Sequence, residues 1–201
     1  MRTSGATGAS GAAAVRWLDA RLLAPEAERG ERIVCYAGAL AGAGFAVALA
    51  LRAPHGPYSG LSLIVIGVVA FDLFGGTVVN ATRSAKRRFH RPGRTSRHHF
   101  AFVAAHVQPF VLALSVPGFG WLPAGILYVL TLGGAAVILT VPAELRRPVA
   151  FAVSALAITA ASAWVAVPGA LAWLAPVLVI KLLLAHLLPD EAGGGGGSTR
   201  S

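Results

Sequence analysis

The chain has 201 residues, of which 56% are hydrophobic and only 12% charged, with a mean hydropathy of +0.69. Soluble domains carry about 25% charged residues, so an ordinary water-soluble fold is excluded. The net charge of +9 would point to nucleic acid in a soluble protein, but its placement along this chain gives it another meaning, and no nucleic-acid partner is expected.

Residues 1–30 read as a cytoplasmic arm. Its first 14 residues are rich in Gly, Ala, Ser and Thr and are expected to be disordered. The apolar stretch GAAAV is too short for a signal peptide before Arg16 and Asp19 intervene. Around Trp17, residues Val15–Leu23 suit a short helix at the membrane surface.

Residues 31–189 then offer six apolar stretches, each near the roughly 20 residues that cross a bilayer. They are Ile33–Leu51, Gly60–Asn80, His99–Val116, Trp121–Val141, Val149–Val167 and Ala170–Leu188. The link AELRRP between the fourth and fifth, and PG between the fifth and sixth, are short enough to force antiparallel neighbours. The expected fold is therefore an all-α, six-span, up-and-down membrane bundle. Residues 190–201 end in a glycine run and read as a disordered cytoplasmic tail.

Basic residues orient the bundle. With the N-terminus inside, all but two of the 17 Lys and Arg residues fall on the cytoplasmic side, the exceptions being Arg52 outside and Lys181 in the membrane. Six spans keep both termini cytoplasmic; an odd number would spoil the segregation. High Ala, Gly and Arg content with only Lys86 and Lys181 as lysines suggests a GC-rich genome and a bacterial inner membrane.

Small residues four apart let helices approach closely in lipid. Gly38 and Gly42, and Ala157 and Ala161, are expected to pack within the bundle, a homo-oligomer contact being the alternative. Cys35 has no internal disulfide partner and reads as a small buried residue. Trp121, Trp164 and Trp173 fall where an outer aromatic belt would lie.

Asp72 and Lys181 stand in otherwise apolar spans. A charge near the bilayer centre costs about 2.5–3.5 kcal/mol on insertion scales, so it is kept only where it is paired, wet or functional. Counting rise per residue from the cytoplasmic ends, Asp72 lies about 12 Å deep, and His106 and Lys181 about 10 Å each. Three ionisable groups on three spans thus reach one depth. Asp72, Gly76, Asn80 and Arg83 recur at helical spacing and form a polar stripe down to the cytoplasm. Pro109 should free the carbonyl of Ala105 beside His106, and Pro176 that of Ala172. The candidate intramembrane site is therefore Asp72, Lys181, His106 and Asn80, with His99, His186 and Arg83 at a cytoplasmic entrance. In the loop RSAKRRFHRPGRTSR, Lys86, Arg87, Arg88 and Arg91 are candidates for contact with anionic lipid headgroups.

Intramembrane Asp, His and Lys suit proton- or ion-linked transport or conduction of a small solute. A membrane-embedded enzyme acting on a lipid is the alternative, and a non-catalytic scaffold the second. A structural ion pair would explain Asp72 and Lys181 alone, but not His106 or the helix breaks. No HxxxH or HExxH spacing is present, so no metal ligands are assigned, and the cofactor is undetermined.

Overall fold

The computed structural model describes residues 27–54 and 58–190. The surface helix suggested around Trp17, the disordered first 14 residues and the glycine-rich tail lie outside the described residues. Among the described residues there is no strand. The helices are α1 (Arg29–Leu51), α2 (Gly60–Ala81), α3 (Arg83–Phe89), α4 (Ser96–Ala104), α5 (Gln108–Ser115), α6 (Trp121–Thr140), α7 (Ala143–Trp164) and α8 (Leu174–Val179). A 3-10 turn at Gly169–Leu171 precedes α8, which runs directly into a π-helix at Ile180–His186. Five of these stretches are long and apolar enough to cross a membrane: α1, α2, α6, α7 and Gly169–His186.

The expected span His99–Val116 is two helices rather than one. Pro109 is the second residue of α5 and has no N–H to continue the ladder from α4. The carbonyl of Ala105 is instead taken by the N–H of Val107 at 3.0 Å, a tight turn that ends α4. The two pieces still run between the same two ends of the bundle. His99 in α4 meets His186 at one end, and the carbonyl of Ser115 in α5 accepts from the Ser62 hydroxyl, 2.7 Å away, at the other.

Three boundaries differ from the sequence reading. AELRRP is not a loop: α7 begins at Ala143 and passes through Pro148, which lies within its first two turns, where little of the hydrogen-bond ladder is lost. The basic loop contains α3, whose N-cap Thr82 accepts from the N–H of Ala85 at 3.3 Å and stops α2 at the same point. It then reverses at Gly93, whose φ of +88° favours glycine. Pro176 falls in the first turn of α8, where its missing N–H costs nothing, and the backbone irregularities lie on either side of it.

Gly169–His186 is the central element, 67% buried, against 22–33% for the other four apolar helices. Those four turn Leu40, Leu61, Ile64, Leu122, Val129 and Leu156 outward, as helices facing lipid do. Trp121 and Trp164 are exposed at the end remote from the basic segment 83–97, but Trp173 is not part of that belt. It is 4% exposed, packs on Phe74 and donates from Nε1 to the carbonyl of Ala170 at 2.9 Å, because it belongs to the central element.

The small residues are consumed in packing within the chain. Val78 and Phe74 of α2 sit over Gly38 and Gly42 of α1, and a Cβ on Gly75 would come within 2.8 Å of Ala39 Cβ. Cys35 is buried in this contact between α1 and α2.

Candidate functional site

Asp72 stands in the middle of α2, and Lys181 is the second residue of the π-helix. Nζ of Lys181 donates to Oδ2 of Asp72 at 2.8 Å and to the backbone carbonyl of the same residue at 3.1 Å. Gly76, one turn beyond Asp72, makes this reach possible. A Cβ there would lie 2.7 Å from Nζ of Lys181, so the lysine could not keep this position. The polar stripe read from the sequence thus contains a glycine whose role is to leave room for the lysine.

Asn80 donates from Nδ2 to the carbonyl of Lys181 at 3.4 Å and so ties the lower part of α2 to the π-helix. A π-helix is rare and frequently found at functional sites. His106 lies in the break between α4 and α5, its Nδ1 2.7 Å from the carbonyl of Phe102. Asp72, Lys181, His106 and Asn80 all line one cavity of about 480 Å³, whose other walls include Tyr36, Val68, Phe71, Phe89 and Phe102.

The exposures of the two charged partners are unequal: the Lys181 side chain is 3% exposed and that of Asp72 43%. Lysine is sealed in protein, and the carboxylate is the partner that the cavity can reach.

Gln108, which is not among the residues expected from the sequence, belongs to the site. Its Nε2 donates to Oδ2 of Asp72 at 2.8 Å, so that one oxygen holds α5 and the central helix together. Its own Oε1 is buried without a partner. The signal available in the sequence was its place between His106 and Pro109, at the start of a helix that the proline forces to begin anew.

The residues assigned to an entrance separate. Arg83 is exposed one turn beyond Asn80. His99 and His186 do not line the cavity; they are 9% and 1% exposed and lie behind Phe102. The ring of Phe102 stacks on His186 with centroids 3.8 Å apart and also meets His106, 4.6 Å away. His90, which the sequence reading passed over, joins them: its ring stacks on His99 at 4.7 Å, and its Nε2 donates to the carbonyl of His186 at 3.0 Å.

In the basic segment, Arg87, Arg88 and Arg91 are exposed, whereas Lys86 turns inward. Its ammonium donates to the carbonyls of Ala185 and Leu188, closing the C-terminal end of the central helix. Burial pushes the Lys86 ammonium down to about 8, with Asp190 opposing the shift. Burial also holds His90 below the usual histidine range, with Lys86 and Arg146 adding to the effect and the bond to the His186 carbonyl opposing it. Among the described residues, no group of three or more His, Cys, Asp or Glu side chains converges in a way that could hold a metal ion.

No known family, characterised protein or solved structure matches the chain.

Proposed function

We propose that the chain is a six-pass protein of a bacterial inner membrane, with both termini cytoplasmic, that moves a small solute linked to protons or ions through the site at Asp72 and Lys181. The α4–α5 pair is the third pass in this reading, broken at the depth of the site. Broken helices are tolerated in the bilayer where their freed backbone lines a cavity or meets polar neighbours.

The observation that carries the proposal is the 43% exposure of Asp72 toward a cavity of about 480 Å³. A pair serving only as a strut gains nothing from an accessible carboxylate, since exposure weakens the attraction. Here the carboxylate is accessible and shares one oxygen with Lys181 and Gln108. A proton or a cation arriving at that oxygen would compete with both donors at once and loosen the contact between α2, α5 and the central helix. Arg87, Arg88 and Arg91 then serve as contacts for anionic headgroups on the cytoplasmic face.

The test is proton flux in vesicles reconstituted with purified protein and loaded with a pH-sensitive dye, under an imposed gradient. Wild type is expected to dissipate the gradient faster than protein-free vesicles, and Asp72→Asn to abolish the difference. Equal flux in wild type, Asp72→Asn and empty vesicles would sink the transport reading.

A second reading, an enzyme acting on an apolar substrate within the bilayer, draws on the aromatic and aliphatic walls at Tyr36, Val68, Phe71 and Phe102. Mass spectrometry of molecules co-purifying with the protein, before and after incubation with inner-membrane lipids, separates the two: turnover of a lipid favours the enzyme.

A further inference from the structure

The hydrogen bonds already made inside the cavity decide what is left for a ligand. Oδ2 of Asp72 accepts from Lys181 and from Gln108, each at 2.8 Å, whereas Oδ1 accepts from no group among the described residues. Nδ1 of His106 lies 2.7 Å from the Phe102 carbonyl, which only accepts, so Nδ1 carries the proton of the neutral ring. Nε2 of His106 is then an acceptor too, and among the described residues no donor meets it. Neither atom is sealed in protein, in contrast to Nδ1 of His186. Lys181, 3% exposed, turns its ammonium onto Asp72. The cavity therefore presents acceptors, one of them a carboxylate oxygen, and calls for donors.

Around these acceptors stand the rings of Tyr36, Phe71, Phe89 and Phe102. An aromatic face is electron-rich and attracts a cation within about 6 Å of its centroid. Val68 also lines the cavity and is 64% exposed at mid-height of α2. A side chain so exposed marks an opening, and at that height the opening faces acyl chains rather than water. A hard inorganic cation needs a cage of about six oxygens, and this cavity offers a single carboxylate among largely apolar walls. Its volume of about 480 Å³ is instead that of a site for a small organic molecule.

We propose that the site takes a primary or secondary ammonium on an apolar body, entering sideways from the bilayer, with its N–H groups shared between Oδ1 of Asp72 and Nε2 of His106. A single hydroxyl offers one donor to two acceptors. An ammonium offers two or three, and its charge is opposite to that of the carboxylate. The inference deepens the transport reading above and rests on it for Asp72 as the group that also takes the proton.

Proton and ammonium exclude each other at that carboxylate. When an ammonium binds to protonated Asp72, the carboxyl O–H bond breaks, the proton passes to water, and the carboxylate pairs with the ligand. One positive charge replaces another, so with Lys181 charged throughout, the net charge of the site is the same in both states. The other titratable side chains lining the cavity are Lys181 from the central helix, His106 from the α4–α5 break, and Cys35 and Tyr36 from α1.

The test is scintillation-proximity binding of tritiated phenylbutylamine to the full chain in phosphatidylcholine nanodiscs, with empty nanodiscs as the blank for partition into lipid. Phenylbutanol, the same body with a hydroxyl head, is the competitor. Saturable binding is expected, displaced by unlabelled amine and at least about tenfold less well by the alcohol. Asp72→Asn should abolish it. Val68→Trp, which narrows the mouth at an exposed position, should weaken it, and carries the test if Asp72→Asn does not fold. In wild type, acid sufficient to protonate Asp72 should release the bound amine. No saturable amine binding, or equal displacement by amine and alcohol, overturns the inference; Asp72-dependent proton flux in the same protein would then leave the transport reading standing. Amine binding that depends on Asp72 and Val68, in protein that carries no flux, upholds the ligand class and rejects transport.

Discussion

The unequal burial of Asp72 and Lys181 predicts an unequal cost for removing either one. In Asp72→Asn the ammonium of Lys181 keeps the backbone carbonyl at 3.1 Å but loses its counter-charge, and at 3% exposure it has no water to replace it. Breaking a buried pair in this way costs about 3–5 kcal/mol. The stranded lysine can escape by shedding its proton, and against an ordinary lysine value of about 10.4 that costs about 4 kcal/mol at pH 7.5, so the loss should level off near there. In Lys181→Met the stranded partner is Asp72, which is 43% exposed, keeps the Gln108 amide at 2.8 Å and faces the cavity. Its loss should be closer to that of one charged hydrogen bond, about 1.5–3 kcal/mol. The double variant Asp72→Asn/Lys181→Met leaves no unpaired charge and should recover most of the stability. Unfolding in mixed micelles of increasing denaturing detergent, followed by tryptophan fluorescence, measures all three. Equal losses in the two single variants, or a greater loss for Lys181→Met, would refute the argument that lysine is the sealed partner.

Three other substitutions probe the elements around the pair. Gly76→Ala places a methyl group where Lys181 passes, so it should destabilise by about 1–3 kcal/mol and abolish whatever flux depends on the pair; an unchanged melting temperature would count against the close approach. Lys86→Met removes the donor to the Ala185 and Leu188 carbonyls and should cost about 1–3 kcal/mol, while binding to vesicles of anionic lipid stays at wild-type strength. The His90 shift gives a pH dependence. Because its folded value lies below the ordinary 6.5, the unfolded chain takes up the proton first, so stability present above about 6.5 falls as acid is added. Thermal unfolding from pH 8 to pH 5 should show this loss, and His90→Gln should flatten part of it.

The helices with sustained apolar character were legible from composition, because the demand for backbone satisfaction in lipid leaves few alternatives. The boundaries of α1, α2 and α6 follow from it closely. What was not legible depended on the third dimension. Spacing put Asp72, Gly76 and Asn80 on one face, but only the packing of the central helix against that face reveals why position 76 is glycine. Gln108 carries no charge whose insertion cost would mark it, and the direction of its side chain depends on the break at Ala105–Val107, where α5 begins anew. Lys86 could not be told from its arginine neighbours by charge. Its inward turn follows from the short helix α3, whose buried face carries Ser84, Ala85 and Lys86. Trp173 had the position of a belt residue and the environment of a core residue, since sequence shows the height of a side chain in the bilayer but not the side on which the bundle closes.

Two departures from regular helix converge on the same ion pair. The break between α4 and α5 brings His106 and Gln108 to it, and the π-helix that begins at Ile180 brings Lys181. A strut requires neither, because two residues on straight helices can form a salt bridge, and each irregularity gives up regular backbone hydrogen bonds. Both are retained where three elements share a single carboxylate oxygen. Neutralising that oxygen removes the charge that holds two donors on two different elements, whereas a change at Lys181 or Gln108 frees only one. Asp72 is therefore the position at which one bound proton can alter the packing of α2, α5 and the central helix together, and it is also the member of the pair that the cavity exposes.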